Sequence, residues 1–338
     1  MRYLFLYEMI IVIIPWLVVL IVSWVGVENM GGGGGGDGLT FLDKNGTLVL
    51  KGIAILLILF SHLGGHYTRI FTPCGGIGVA LFLFISGYGL TKSDEKNGLQ
   101  HYWTKRLVGV WLPYVLIQVF TSGLHPLDIL LIKPSHPFGW YLNYLMIWYF
   151  MFWIIHRWVF LKRNRTFFLT LTGIILFFIS REIRAEQSFS FIAGVMFAVH
   201  DWKGKIQWKN GMVLLLIAIG FLACKQTAII RESPQVIYSF IQLMIKLPAA
   251  LAIICFVFCT NRWINYRYFL WVGILSYEIY LIHGYTINIY NTGMPMIHIV
   301  LVFSGLTFAL SVGMHCVDTY LSGKLWEILL YKTKDRRD

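Results

Sequence analysis

Lys51 and His62 are eleven positions apart in a run that is otherwise apolar from Ile53 to Phe60. Lysine supplies a fixed positive charge, and histidine an imidazole that takes up or releases a proton near neutral pH. In a helix this spacing is about 16 Å of rise and close to three whole turns, so both side chains fall on one face. Each residue has a bland account of its own. A lysine at a helix end snorkels to phosphate headgroups, and a lone histidine in a membrane helix bonds a neighbour. Ionisable groups inside spanning helices are costly and mark function by default. The shared face therefore makes the pair a candidate site that holds charge at one level and moves protons at another.

Other polar residues are weaker candidates. Glu278 and His283 are five apart on one helix, so they point to different faces and are no obvious pair. Lys246, His315 and Asp318 read as isolated interhelical contacts. Gly76 and Gly78 are not a dinucleotide fingerprint, because a membrane span offers no strand–turn–helix context; small residues there let helices approach closely. Cys255 and Cys259 share a helix face but lack further ligands for a metal, so no metal is expected. Five cysteines in all argue against a disulfide framework.

These residues must be positioned by membrane helices. Hydrophobic residues make up 57% of the 338 and charged ones 13%, about half the charged share of an average soluble chain. A helix needs about 20 mostly apolar residues to span the hydrocarbon core, and a barrel would show alternation that Ile53 to Phe60 lacks. The expectation is an all-α integral membrane protein of about 11 transmembrane helices. They fall near 3–25, 48–65, 74–91, 107–123, 138–156, 166–180, 187–200, 212–230, 236–260, 268–290 and 296–321. One peripheral N-terminal helix (within 1–30) and a Gly-rich flexible linker (31–47, with Gly31 to Gly36) precede a ten-helix bundle (48–323). A basic tail (324–338) follows. The glycine run lacks the Lys-Ser or Lys-Thr ending of a phosphate-binding loop.

The net charge of +12 is positive-inside charge rather than a nucleic-acid surface. Lys92, Lys96, Lys105 and Arg106 share one loop, Arg157, Lys162, Arg163 and Arg165 another, and Lys332, Lys334, Arg336 and Arg337 end the chain. Every such cluster falls on one side if each segment spans. That side is the cytoplasmic one, with the C-terminus in the cytoplasm and the N-terminus outside.

Read in order, the segments resemble the acyltransferase-3 family of polytopic bacterial membrane acyltransferases. The family shows a basic residue, ten positions, then a histidine in its first bundle helix; Lys51 and His62 match, with Lys where many members have Arg. A glycine-led segment ending Phe, Ser, Gly, Tyr resembles Gly78 to Tyr88 and includes Ser86. A basic stretch before Pro-Tyr resembles Lys105, Arg106, Pro113 and Tyr114, although a second family Arg is here Gly109. Trp140, Tyr141 and Leu142 match a Trp-Tyr-Leu segment. Gly273, Ser276, Tyr277, Tyr280, Leu281 and His283 match a late pattern that here also encloses Glu278.

The resemblance implies transfer of an acetyl or other short acyl group from cytoplasmic acyl-coenzyme A to a hydroxyl. The acceptor would be a cell-envelope glycan or lipid-linked sugar, the setting a bacterial cytoplasmic membrane, and the partners glycan-assembly enzymes. His62 would be the catalytic base, and Lys51, Lys105 and Arg106 would hold the donor phosphates. Ser86, Tyr88, Trp140, Tyr141, Glu278, Tyr280 and His283 are further site candidates. Two other classes stay open on the residues alone. One is a transporter or flippase of a small anion or lipid-linked sugar, against which the lack of a repeat speaks. The other is a structural or sensory membrane protein.

Overall fold

The computed structural model describes residues 41–67, 71–121, 123, 125–180, 182–260, 266–292 and 295–334. The expected N-terminal helix and the glycine run lie outside these residues. Every regular element among them is helical. The main helices are α1 (Lys44–Tyr67), α2 (Thr72–Asn97), α3 (Leu112–Thr121), α4 (Trp140–Arg157), α5 (Arg165–Ile179) and α6 (Ser190–Val199). They continue with α7 (Trp208–Lys225), α8 (Gln235–Thr260), α9 (Arg267–Ile274), α10 (Ser276–Thr286) and α11 (Met296–Lys334). By length and composition α1, α2, α7, α8 and α11 can each cross a bilayer. Helices are the form that satisfies every backbone polar group within the segment, as lipid demands.

Three elements differ from the sequence expectation. The segment expected as one helix over 268–290 is broken at Leu275, between α9 and α10. The helix expected from 107 opens with a π-helical stretch, Leu107–Trp111, and follows a helical turn, Tyr102–Arg106. Pro113 explains the widening: its ring crowds the carbonyl four residues back, that of Gly109, and it has no N–H to bond there. Finally, α11 runs on to Lys334 instead of ending near 321.

The chain packs as two compact units. The first comprises the residues up to Leu99 together with Tyr144–Ile274. In it α2 packs against α1, α6 and α8, α1 against α9, and α7 against α8. Its core gathers Leu50, Ala54, Leu81, Phe84, Ala250 and Ile254. Two crossings are closed by paired glycines. A Cβ on Gly87 would collide with the carbonyl of Phe191, and one on Gly194 with that of Phe84, so α2 and α6 meet backbone to backbone. Gly52 and Gly273 do the same for α1 and α9, against the carbonyls of Phe269 and Leu48. In a bilayer, where lipid competes for apolar surface, such close approach is a main source of helix–helix attraction. The outer faces carry exposed apolar side chains such as Phe178, Leu216 and Ile219.

The second unit comprises Gln100–Asn143 and the residues from Leu275 on. Here α10 packs against α3 and α11, and the π stretch packs against α11.

Candidate active site

Lys51 and His62 both lie on α1, which is unbroken from Lys44 to Tyr67, and both are half-buried. The continuity of the helix keeps them on one face, about 16 Å apart along the axis. The wall beside the His62 end is the start of α2. Ser61, next to His62, donates its hydroxyl to the carbonyl of Thr72 at 3.1 Å. A Cβ on Gly75 would meet Ser61, and one on Gly78 would meet the Ala54 carbonyl and Ile58. The glycines that open the α2 motif therefore let it lie on the half of α1 that carries His62.

The same turn of α2 is held from its other side. Gln187 donates its amide to the Gly76 carbonyl at 2.8 Å. The aliphatic stem of Lys246 occupies the space a side chain on Gly76 would need. Lys246 in turn forms an ion pair with Glu186, both being buried. Ser190 completes the group by donating to Gln187 Oε1 at 3.1 Å. Lys246, read from sequence as an isolated interhelical contact, is thus an ion-paired contact from α8 to the segment before α6. Ser86 and Tyr88 lie further along α2. Ser86 is half-buried, and Tyr88 is buried edge-on to Phe41 at 5.6 Å.

Lys105 and Arg106 belong to the second unit. The Arg106 guanidinium lies 4.1 Å from the centre of the Tyr102 ring, and Nη1 donates to the Tyr102 carbonyl at 3.0 Å. Gly109, where a second family Arg would stand, has open space beside it. Beyond the π stretch, Tyr114 donates its hydroxyl to Asp128. Gln118 and Ser135 also donate to Asp128, at 2.6 and 2.5 Å. Burial alone pushes the Asp128 carboxyl up, but the hydrogen bonds from Ser135, Tyr114 and Gln118 outweigh it and leave the carboxyl below its ordinary range. Tyr285 donates to Gln118 Oε1, tying this network to α10.

His136 sits in the same loop, buried. Its Nε2 lies 2.7 Å from the Leu281 carbonyl, and the Phe138 N–H donates to its Nδ1 at 3.0 Å. That pattern is the neutral imidazole with its proton on Nε2. Burial lowers its pKa below 6.5, against the pull of the Leu281 bond and the Asp128 charge.

Tyr141 meets Tyr280 edge-on at 5.2 Å, and Tyr280 donates to the Phe138 carbonyl at 2.7 Å. Trp140 lies half-buried beside Tyr141. His283 is fully buried and stacks on the Phe138 ring at 4.7 Å. Glu278 and His283 are not paired with each other. Glu278 Oε1 instead lies 2.6 Å from Nδ1 of His315 on α11.

A family model described as an acyltransferase domain matches residues 39–316. The chain belongs to the acyltransferase-3 family. No curated protein and no solved structure matches it. Within the acyltransferase domain the quoted motif residues fall into two physical groups. Gly78, Gly87 and Gly273 are close-packing positions, whereas Lys51, His62, Glu278 and His283 bring polar side chains into apolar helices. No three His, Cys, Asp or Glu side chains gather for a metal among the described residues.

Asp128, Gln118, Ser135 and His136, with Glu186 and Gln187, were not among the residues singled out from sequence. The loop signal was present: Asp128, Ser135 and His136 stand among Pro126, Pro134 and Pro137, a density of proline unusual for a simple solvent connection.

Proposed function

We propose that the protein is a membrane O-acyltransferase moving an acetyl or other short acyl group from acyl-coenzyme A to a hydroxyl of an envelope glycan or lipid-linked sugar. The supporting observation is the placement of Lys51 and His62 on one face of α1, inside the family match. Acyl-coenzyme A carries phosphates at one end and the thioester at the other end of a long, thin arm. A cation and a base about 16 Å apart along one helix suit that shape.

In this reading His62 removes the acceptor hydroxyl proton as the oxygen attacks the thioester carbonyl. The C–S bond breaks, the thiolate leaves and is protonated, and the acyl ester departs with the acceptor. Lys51 holds the donor phosphates as a point charge. The positive-inside pattern supports a cytoplasmic donor side.

The test uses purified protein in lipid with acetyl-coenzyme A and a lipid-linked glycan fraction. His62→Ala is expected to abolish acyl transfer with expression and folding intact. Full activity in that variant would end the mechanism.

A further inference from the structure

The last helix is built inside out relative to a water-soluble one. Its exposed positions are apolar, among them Leu301, Val302, Leu306, Leu310 and Val317. Ser304, Thr307, Ser311, His315, Asp318 and Ser322 follow one another at spacings of three and four, which places them on one helix face. Ser304, Thr307 and Ser311 are buried, and His315, Asp318 and Ser322 half-buried. From Ser304 to Ser322 the rise is about 27 Å, close to the roughly 30 Å of the hydrocarbon core.

α10 faces this stripe. Thr286 and Thr307 share a hydrogen bond of 2.7 Å between their hydroxyls, and Glu278 meets His315 at 2.6 Å. Ser311 donates to the Thr307 carbonyl at 2.6 Å, and Ser322 to Asp318 at 3.3 Å. Two buried oxygens near the ends of the track lack a hydrogen-bond partner among the described residues: Glu278 Oε2 and Ser304 Oγ. Helix–helix adhesion accounts for the hydroxyls. It does not account for a buried carboxylate with a spare oxygen, against a histidine, beside a second carboxylate. Chains of Asp, Glu and His in membrane helices are the usual carriers of protons. Asp318 on α11 also faces this cluster, whereas the Tyr277 hydroxyl donates to the Val110 carbonyl and His283 stacks on Phe138; the π stretch packed on α11 carries no titratable side chain.

We propose that Glu278, His315 and Asp318 are the inner, proton-releasing end of a polar track along α11, continued outward by Ser311, Thr307, Thr286 and Ser304. It carries a proton in the direction opposite to the acyl group. This rests on the reading above, with the donor entering from the cytoplasmic side and the acceptor from the other. Acyl-S-CoA plus R–OH gives acyl-O–R plus HS-CoA: a C–S bond breaks, a C–O bond forms, and the hydroxyl proton ends on the thiol. When the acceptor comes from outside and the thiolate returns to the inside to be protonated, the proton taken from the hydroxyl has to be passed inward for the charges to balance. The track is a route for it, with a water or a hydroxyl rotation bridging Ser311 and His315.

The full chain is reconstituted in phosphatidylethanolamine–phosphatidylglycerol vesicles holding a pH-sensitive dye. A potassium potential is imposed with valinomycin, acetyl-coenzyme A and a lipid-linked glycan fraction are added, and thiol release is read in parallel. Wild type should move protons faster than empty vesicles. Glu278→Gln and His315→Gln should fall to the empty-vesicle rate, Ser311→Ala should be slowed, and Cys316→Ala on the exposed face should match wild type. If Glu278→Gln does not fold, Ser311→Ala decides. Thiol release by a wild type that moves no protons would overturn the track and leave acyl transfer standing. Variants that conduct like wild type would also overturn it. Proton movement without any thiol release would support the track and sink the acyl-transfer reading.

Discussion

Lys246 of α8 forms a buried ion pair with Glu186, and its stem lies over Gly76 at the start of α2. Removing one charge leaves the other buried and alone, which in proteins costs about 3–5 kcal/mol, whereas replacing both by apolar groups is often neutral. Lys246→Met and Glu186→Leu should therefore each lower thermal stability in detergent sharply. The double variant Lys246→Met/Glu186→Leu should regain most of the loss. A double-mutant cycle in which the losses simply add would show that the pair is not coupled.

The paired glycines make a steric prediction. Gly87→Ala and Gly194→Ala each press a methyl group onto a facing carbonyl, so each should destabilise by about 1–3 kcal/mol or more. Gly89→Ala, with nothing within 4 Å of its Cβ, serves as the neutral control. Unfolding midpoints that are alike in all three variants would mean the α2–α6 crossing is looser than described.

His136 makes a prediction about pH. The folded chain holds it neutral, with its pKa below 6.5. As pH falls through that ordinary value the unfolded chain binds the extra proton first, so stability declines until the lowered folded value is passed. Gln can donate to the Leu281 carbonyl and accept from the Phe138 N–H without titrating. His136→Gln should therefore keep stability at pH 7.5 and flatten the acid-side decline, as read from unfolding midpoints across pH. An unchanged slope would move the dependence to other groups.

Sequence exposed what depends on local periodicity and hid what depends on tertiary contact. Lys51 and His62 could be aligned because a helix repeats every 3.6 residues. Glu278 and His315 are 37 residues apart on two helices, so nothing local couples them, and each looked solitary. Asp128 and His136 lie in a stretch that reads as a connecting loop, where polar residues are normally solvated; only folding against α3 and α10 buries them. The π stretch was hidden for a different reason. One extra residue in a turn barely disturbs a window of apolar residues, although Pro113 supplied the steric cause.

Lys51 tests how the donor is held. The family commonly has Arg here, whose planar fork binds phosphate through two parallel bonds, whereas Lys acts as a point charge. If Lys51 grips the donor phosphates equally in the ground and transition states, its removal acts on KM and leaves kcat alone. Lys51→Met should raise the KM for acetyl-coenzyme A, and Lys51→Arg should hold it level or lower it, both with kcat near wild type. The check is initial-rate kinetics at varied donor and saturating acceptor, repeated at higher salt, where the wild-type advantage over Lys51→Met should shrink as the charge is screened. A fall in kcat at unchanged KM would instead tie Lys51 to the reacting atoms near His62.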